Sequence, residues 1–234
     1  SFSMRSVVAR QSGKIIFELT ASFQTADEGP EHQVPMPVHP GPEALVPESV
    51  GRDAIRHLLP MPYREKLLGP RGLELRRVSP LHPMHPAPRT GGSAMWVRTQ
   101  APLPDDPLLH RAILSYVSDH GLLLAATEPH GLSLLRGDVR LASLDHAMWF
   151  HRDFRLDDWL LYVVDSPSAG GARGLCSGRY YARDGRLVVG PQALPARESA
   201  FILAGVGLRG ARDYIAGQLQ QRGRTEGEDY LLVA

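Results

Sequence analysis

Three side chains in the second half of the chain have the types to handle a water molecule: Asp119, Ser143 and Gln192. None is a strong nucleophile. Together a carboxylate can serve as general base while a hydroxyl and an amide hold and polarise the water. Ser143 belongs to Leu141-Ala-Ser-Leu-Asp-His-Ala-Met-Trp-Phe-His151, where a hydroxyl, a carboxylate, two imidazoles and a tryptophan interrupt strand-forming residues. Extended alternation puts Ala142, Leu144, His146, Met148 and Phe150 on one face, and Ser143, Asp145, Ala147 and Trp149 on the other. The stretch reads as a strand running past a site. Asp119 falls late in a helical pattern, on the flank of its apolar stripe, where a half-buried carboxylate needs partners or a task. The blander reading is a partly solvated acid near a helix end.

Other groupings carry less. Gly174-Leu-Cys-Ser-Gly178 has the spacing of a nucleophile elbow with cysteine in place of serine. That motif needs a strand-to-helix turn, and a hairpin strand follows, so Cys176 reads as a small strand residue. Ser143, Asp145 and His146 are triad residue types, but neighbours on a strand point to opposite faces and form no triad among themselves. His120 reads as a core histidine bonded to a carbonyl, with a base as the alternative. Gly170-Gly171 with Arg173 is a weak phosphate signal. His82 and His85 sit among prolines without nearby carboxylates and read as a loop, not a metal site.

The elements that must position these residues follow from periodicity. Ser1–Gln24 reads as a hairpin turning at Gln11-Ser-Gly-Lys14. Asp27–Pro47 is a proline-rich linker, and a short helix is expected over Glu48–Leu59. A short strand covers Leu73–Val78, a proline-broken loop Ser79–Pro88, and a strand Met95–Gln100. Asp106 as N-cap and Pro107 at the first helical position start a helix. Its apolar residues Leu109, Ala112, Ile113, Tyr116, Val117, His120, Leu123 and Leu124 predict one long helix ending before Pro129. Strands are then expected over Leu141–His151, Trp159–Val164, Gly174–Tyr181 and, after an Asp184-Gly185 turn, Arg186–Val189. An antiparallel sheet would wrap its apolar face around the one helix. A helix is possible over Asp213–Gln221, in a segment resembling nothing upstream.

Composition bounds the function classes. With 26 basic and 25 acidic residues the formal charge is +1, which gives no electrostatic case for nucleic acid or an anionic membrane. No apolar run is long enough to span a bilayer. One cysteine, Cys176, excludes an internal disulfide and a thiolate metal cluster, and fits a reducing compartment. The basic residues are nearly all arginine, with lysine only at 14 and 66.

On several long motifs the chain resembles the acyl-CoA thioesterase II family, hydrolases of medium- and long-chain acyl-CoA with a double hotdog fold. They are Arg5–Phe17, Ala21–Gln24, Tyr116-Val-Ser-Asp-His120, Pro129-His-Gly131, Ala142–His151, Asp158–Tyr162 and Asp165–Gly174. The resemblance implies an α+β hotdog, an antiparallel sheet wrapped around a long central helix, as a double hotdog with an incomplete first repeat. Residues 1–26 would be the remnant of the first hotdog and 27–92 a proline-rich linker with short elements. Residues 93–195 would be the second hotdog and 196–234 a divergent tail. Because the chain opens in a hairpin without a methionine, further N-terminal sequence is expected.

The resemblance also implies water-mediated thioester hydrolysis. The acid of the Tyr-x-Ser-Asp motif falls on Asp119, and the hydroxyl two positions before the Asp-His pair falls on Ser143. The amide after the last strand falls on Gln192, here in a Gly-Pro-Gln-Ala context where the family has Gln-Glu-Gly. Backbone donors near the helix would stabilise the oxyanion. No metal and no organic cofactor is implied. The expected partner is an acyl-CoA substrate, in a cytoplasmic homo-oligomer without a membrane span or nucleic acid. The rival expectation is a non-catalytic hotdog that binds acyl-CoA or a partner chain.

Overall fold

In the computed structural model, the described residues are 2–58, 72–143, 145–190 and 232–233. Strands β1 (Phe2–Gln11) and β2 (Lys14–Gln24) form an antiparallel hairpin. Ser12 and Gly13 at its tip both have positive φ, 50° and 77°, as a two-residue turn of this hand requires. A second sheet is an antiparallel meander of β3 (Leu73–Arg77), β4 (Ser93–Thr99), β5 (Leu160–Gly170), β6 (Arg173–Ala182) and β7 (Leu187–Val189), neighbours in chain order. β8 (Leu232–Val233) pairs in parallel with Arg173 and Gly174 of β6. It comes from the expected tail; the possible helix over Asp213–Gln221 lies outside the described residues.

Period-two alternation builds a core on each face of this sheet. Met95, Val97, Leu160, Tyr162 and Val164 face inward with Tyr180 and Val188. Their neighbours Ala94, Trp96 and Leu161 face outward with Trp159, Tyr181 and Leu187. Two helices are described: α1 (Glu48–Ala54) and α2 (Pro107–Val117), the latter inserted between β4 and β5. α2 starts as its sequence dictates, with Pro107 in its first turn and the Asp106 carboxylate accepting from the Leu108 N–H at 2.9 Å. It buries His110, Leu114 and Val117, and the last two join the inward core. Leu156 N–H donates to His110 Nδ1 at 2.9 Å, tying the helix to the approach of β5.

The helix is shorter than its apolar pattern predicts. It ends at Val117, not near Leu124, and short 3-10 turns over Leu123–Ala126 and Glu128–His130 follow. The cause is local. His120 N–H bonds back to Val117 O, a turn tighter than α, and Gly121 adopts φ +85°, which a helix cannot continue through. A Cβ at Gly121 would lie 2.7 Å from Met95 Cε. Beyond it Leu123 and Leu124 are half-buried and Ala125 and Ala126 buried, in 3-10 and not α geometry.

The expected strand over Leu141–His151 is also not a strand. Among the described residues it is irregular, with single bridge positions at Ser143 and Phe150 and no run of strand. At its end Phe150 bridges Val189, His151 N–H donates to Val188 O at 2.8 Å, and Gly190 N–H donates to Trp149 O at 3.1 Å. Its burial does not alternate between two faces along the described residues.

The proline-rich segment lacks regular structure up to Gly41, as its prolines require, yet it is pinned along the outer face. Trp96 Nε1–H donates to Pro40 O at 2.9 Å, and Arg76 Nη1 to Pro42 O at 2.7 Å. Gln33 brackets the β6–β7 turn, donating to Gly185 O at 2.7 Å and accepting from Leu187 N–H at 3.0 Å. Met36 and Leu45 cover the outward core. Among the described residues no helix is long and apolar enough to cross a membrane.

Candidate active site

Two of the three expected side chains meet. Ser143 Oγ donates to Asp119 Oδ1 at 2.7 Å. Asp119 stands just past the end of α2, in the turn preceding Gly121, and is exposed where a half-buried acid was expected. Ser143 arrives on the irregular segment, at an isolated bridge position and not within a strand. The second oxygen of Asp119 takes no hydrogen bond from the described residues, so the carboxylate is held on one side and open to water on the other. Gln192 lies outside the described residues. Gly190, two residues before it, is tied to the same irregular segment through Trp149.

The residue before Asp119 is clamped. Ser118 is buried, and its carbonyl accepts from the Tyr162 hydroxyl of β5 at 2.8 Å. Its hydroxyl donates to Ser115 O at 2.8 Å and lies 3.2 Å from both His146 Nε2 and Met148 Sδ. With that hydroxyl proton committed to Ser115, the His146 contact is an Nε2–H donating to Ser118 Oγ. Burial lowers the His146 pKa, and the carboxylates of Asp119 and Asp145 pull the other way with smaller effect. The imidazole is therefore held neutral as a donor. Burial also raises Tyr162, with Asp119 adding to the same direction. Tyr162 stacks on Tyr180 with centroids 4.0 Å apart, a rigid floor under the turn.

Ser118 and Tyr162 are neighbours of the candidate site that residue types alone did not single out. Their signal was available: Ser118 adjoins the acid, and Tyr162 is on the inward-facing parity of β5. The other groupings fall out as loop and strand. Ser143, Asp145 and His146 form no triad, since His146 engages Ser118 and Asp145 is exposed. Cys176 lies within β6, half-buried, with burial pushing its thiol pKa up. His82 Nδ1 accepts from the His85 N–H at 3.1 Å, closing the proline-rich loop. No group of three or more metal-ligand side chains occurs among the described residues.

Comparison with known proteins bears on the family and the fold. The family model for acyl-CoA thioesterases matches residues 78–197. Acyl-CoA thioesterase 2 of Haemophilus influenzae is 34% identical over 192 residues, covering 82% of this chain and 67% of that protein. Human acyl-coenzyme A thioesterase 8 is 37% identical over 199 residues, covering 81% of this chain and 61% of its own length. The chain thus spans roughly two thirds of the curated relatives it matches. Among solved structures, the acyl-CoA thioesterase II TesB2 of Mycobacterium marinum superposes with a TM-score of 0.62 at 38% identity, over 85% of this chain and 71% of that one. A hot dog fold protein of Alicyclobacillus acidocaldarius, at TM-score 0.56 and 17% identity, over 81% of this chain and 65% of that one, shares the fold alone. With its meander wrapped around α2 in a hotdog arrangement, and with these matches, the chain belongs to the acyl-CoA thioesterase family.

Proposed function

We propose that this chain hydrolyses medium- or long-chain acyl-CoA to a free fatty acid and CoA, with Asp119 as general base and residues 93–195 as the catalytic unit. The observation that carries the reading is the 2.7 Å hydrogen bond from Ser143 to Asp119, between residues 24 positions apart. It fixes one carboxylate oxygen and leaves the other to take a proton from water. The water oxygen then attacks the thioester carbonyl carbon. The tetrahedral intermediate collapses by breaking the C–S bond, and the departing thiolate recovers the proton from Asp119. Gln192 is proposed as the amide that holds the water from the far side.

Thiol release from dodecanoyl-CoA tests this directly. Asp119→Asn should lower kcat by about 10²- to 10⁴-fold, the usual worth of a positioned base. Ser143→Ala should cost roughly 10- to 100-fold, as for a lost hydrogen bond to a charged group. Undiminished turnover in Asp119→Asn refutes the assignment. Saturable acyl-CoA binding without any thiol release from the unaltered chain would instead establish a binding module.

A further inference from the structure

We infer that the aliphatic tail of the acyl group seats in a cavity beside Asp119, and that the proline-rich segment before α1 forms the wall that limits its length. This deepens, and rests on, the thioesterase reading of the Asp119 site. The cavity measures about 630 Å³, within the roughly 300–1,000 Å³ usual for small-molecule sites. Its walls are largely aliphatic, with Val46, Ile55, Leu75, Leu81, Leu124 and Leu132 among them. His120 and Gly121, the two residues that follow Asp119, also line it. The wall is therefore continuous with the turn that carries the carboxylate.

The charges in the wall favour an alkyl occupant over the nucleotide end of CoA. Arg77 lines the cavity against Gly121, where a Cβ would meet its Nη2 at 3.6 Å. It is paired with Glu48, another lining residue, at 3.7 Å. Glu128 also lines the cavity and is paired with Arg89 at 2.7 Å. The one guanidinium lining the cavity among the described residues faces a carboxylate at 3.7 Å, and the two lining carboxylates would repel a phosphate. An alkyl chain needs none of these groups and gains from every apolar contact.

Ala44–Glu48, Gly51 and Ile55 close one side of the cavity, and all lie outside the 93–195 unit. This stretch follows the anchors at Pro40 and Pro42, so it is held against the sheet and presents Val46 to the cavity. Chain-length selection is thereby lodged in a segment whose sequence looks like a linker.

The test uses the whole chain and two readouts. Displacement of the fluorescent alkyl carboxylate cis-parinaric acid by dodecanoic acid reads the cavity without requiring turnover. The kcat/KM series for butanoyl-, octanoyl- and dodecanoyl-CoA reads it in the reaction, and should rise roughly fourfold per methylene until the cavity is full. Leu124→Trp fills the cavity from the sheet-side turn and Val46→Trp from the proline-rich wall. Val46 is 67% exposed, so its replacement leaves the fold intact even where Leu124→Trp does not. Each variant should weaken parinaric acid binding at least about tenfold and reduce the dodecanoyl-to-butanoyl ratio by a similar factor. Absence of saturable parinaric acid binding to the unaltered chain overturns the inference, as does wild-type binding in Val46→Trp. If Asp119→Asn abolishes turnover while Val46→Trp binds normally, the seat is wrong and the thioesterase reading stands. If Val46→Trp blocks alkyl binding in a chain that releases no thiol, the seat stands and the thioesterase reading falls.

Discussion

A carboxylate and a hydroxyl brought together at the end of α2 were legible as residue types, because acid, hydroxyl and amide are what activating a water needs. The clamp beneath them was not. Tyr162, Ser118 and His146 look like one core aromatic, one helix-terminal serine and one strand imidazole, and only the fold shows that all three converge on the peptide before Asp119. The clamp has a titration consequence. His146 is held neutral by burial against the opposing influence of Asp119 and Asp145, and His151 is likewise lowered by burial. Below the ordinary imidazole pKa of about 6.5 the unfolded chain takes up protons that the folded chain refuses. Stability contributed by the neutral rings is full above that pH and is lost as pH falls below it. Urea midpoints measured from about pH 7.5 down to 5 should therefore decline, and His146→Gln, which keeps a donor near the Nε2 position, should flatten the slope and leave the His151 share. An identical slope in the variant would show that His146 is not held neutral.

At the scale of elements, α2 shows how a hydrophobic period locates a helix and fails to end it. The period runs on through Leu123 and Leu124, which stay half-buried in a 3-10 turn, but the turn ahead of Gly121 decides the backbone. The helix ends at Val117, Asp119 stands exposed in the turn that follows, and Gly121 at φ +85° keeps the backbone from resuming the helix. Gly121→Ala would place a Cβ 2.7 Å from the end of the buried Met95 side chain while forcing an L-residue into left-handed backbone. The expected loss is about 1–3 kcal/mol in denaturant unfolding, together with a fall in kcat, since the turn that presents the base must shift. Full stability in Gly121→Ala would mean that Met95 and the backbone yield freely. The Leu141–His151 stretch fails for the converse reason. Its residues favour a strand, but among the described residues it pairs only at single bridge positions, and its last residues meet β7.

At the scale of the whole molecule, the sheet and α2 account for their own burial, whereas the β1–β2 hairpin does not. Cross-strand pairing puts Val7 opposite Leu19 and Ala9 opposite Phe17, so Val7, Phe17, Leu19 and Phe23 share one face of the pleat. That face is open: Val7 is 53% exposed, Phe17 45%, Leu19 41% and Phe23 47%. Two strands alone are marginal in water and need a third strand or a packed face to persist. Among the described residues neither outer edge of this hairpin has a strand partner. We propose that a second copy of the chain supplies a matching apolar face and a matching edge by symmetry, joining a homo-oligomer through the hairpins. Light scattering on the eluting peak at tens of micromolar should then give a mass above that of one chain. Phe17→Glu, a charge set in the middle of the apolar face, should return the mass to that of a single chain while the sheet around α2 keeps its cooperative melt. An unaltered chain that elutes at the mass of one protomer, or a Phe17→Glu variant that associates as the unaltered chain does, would exclude the hairpin as the joint.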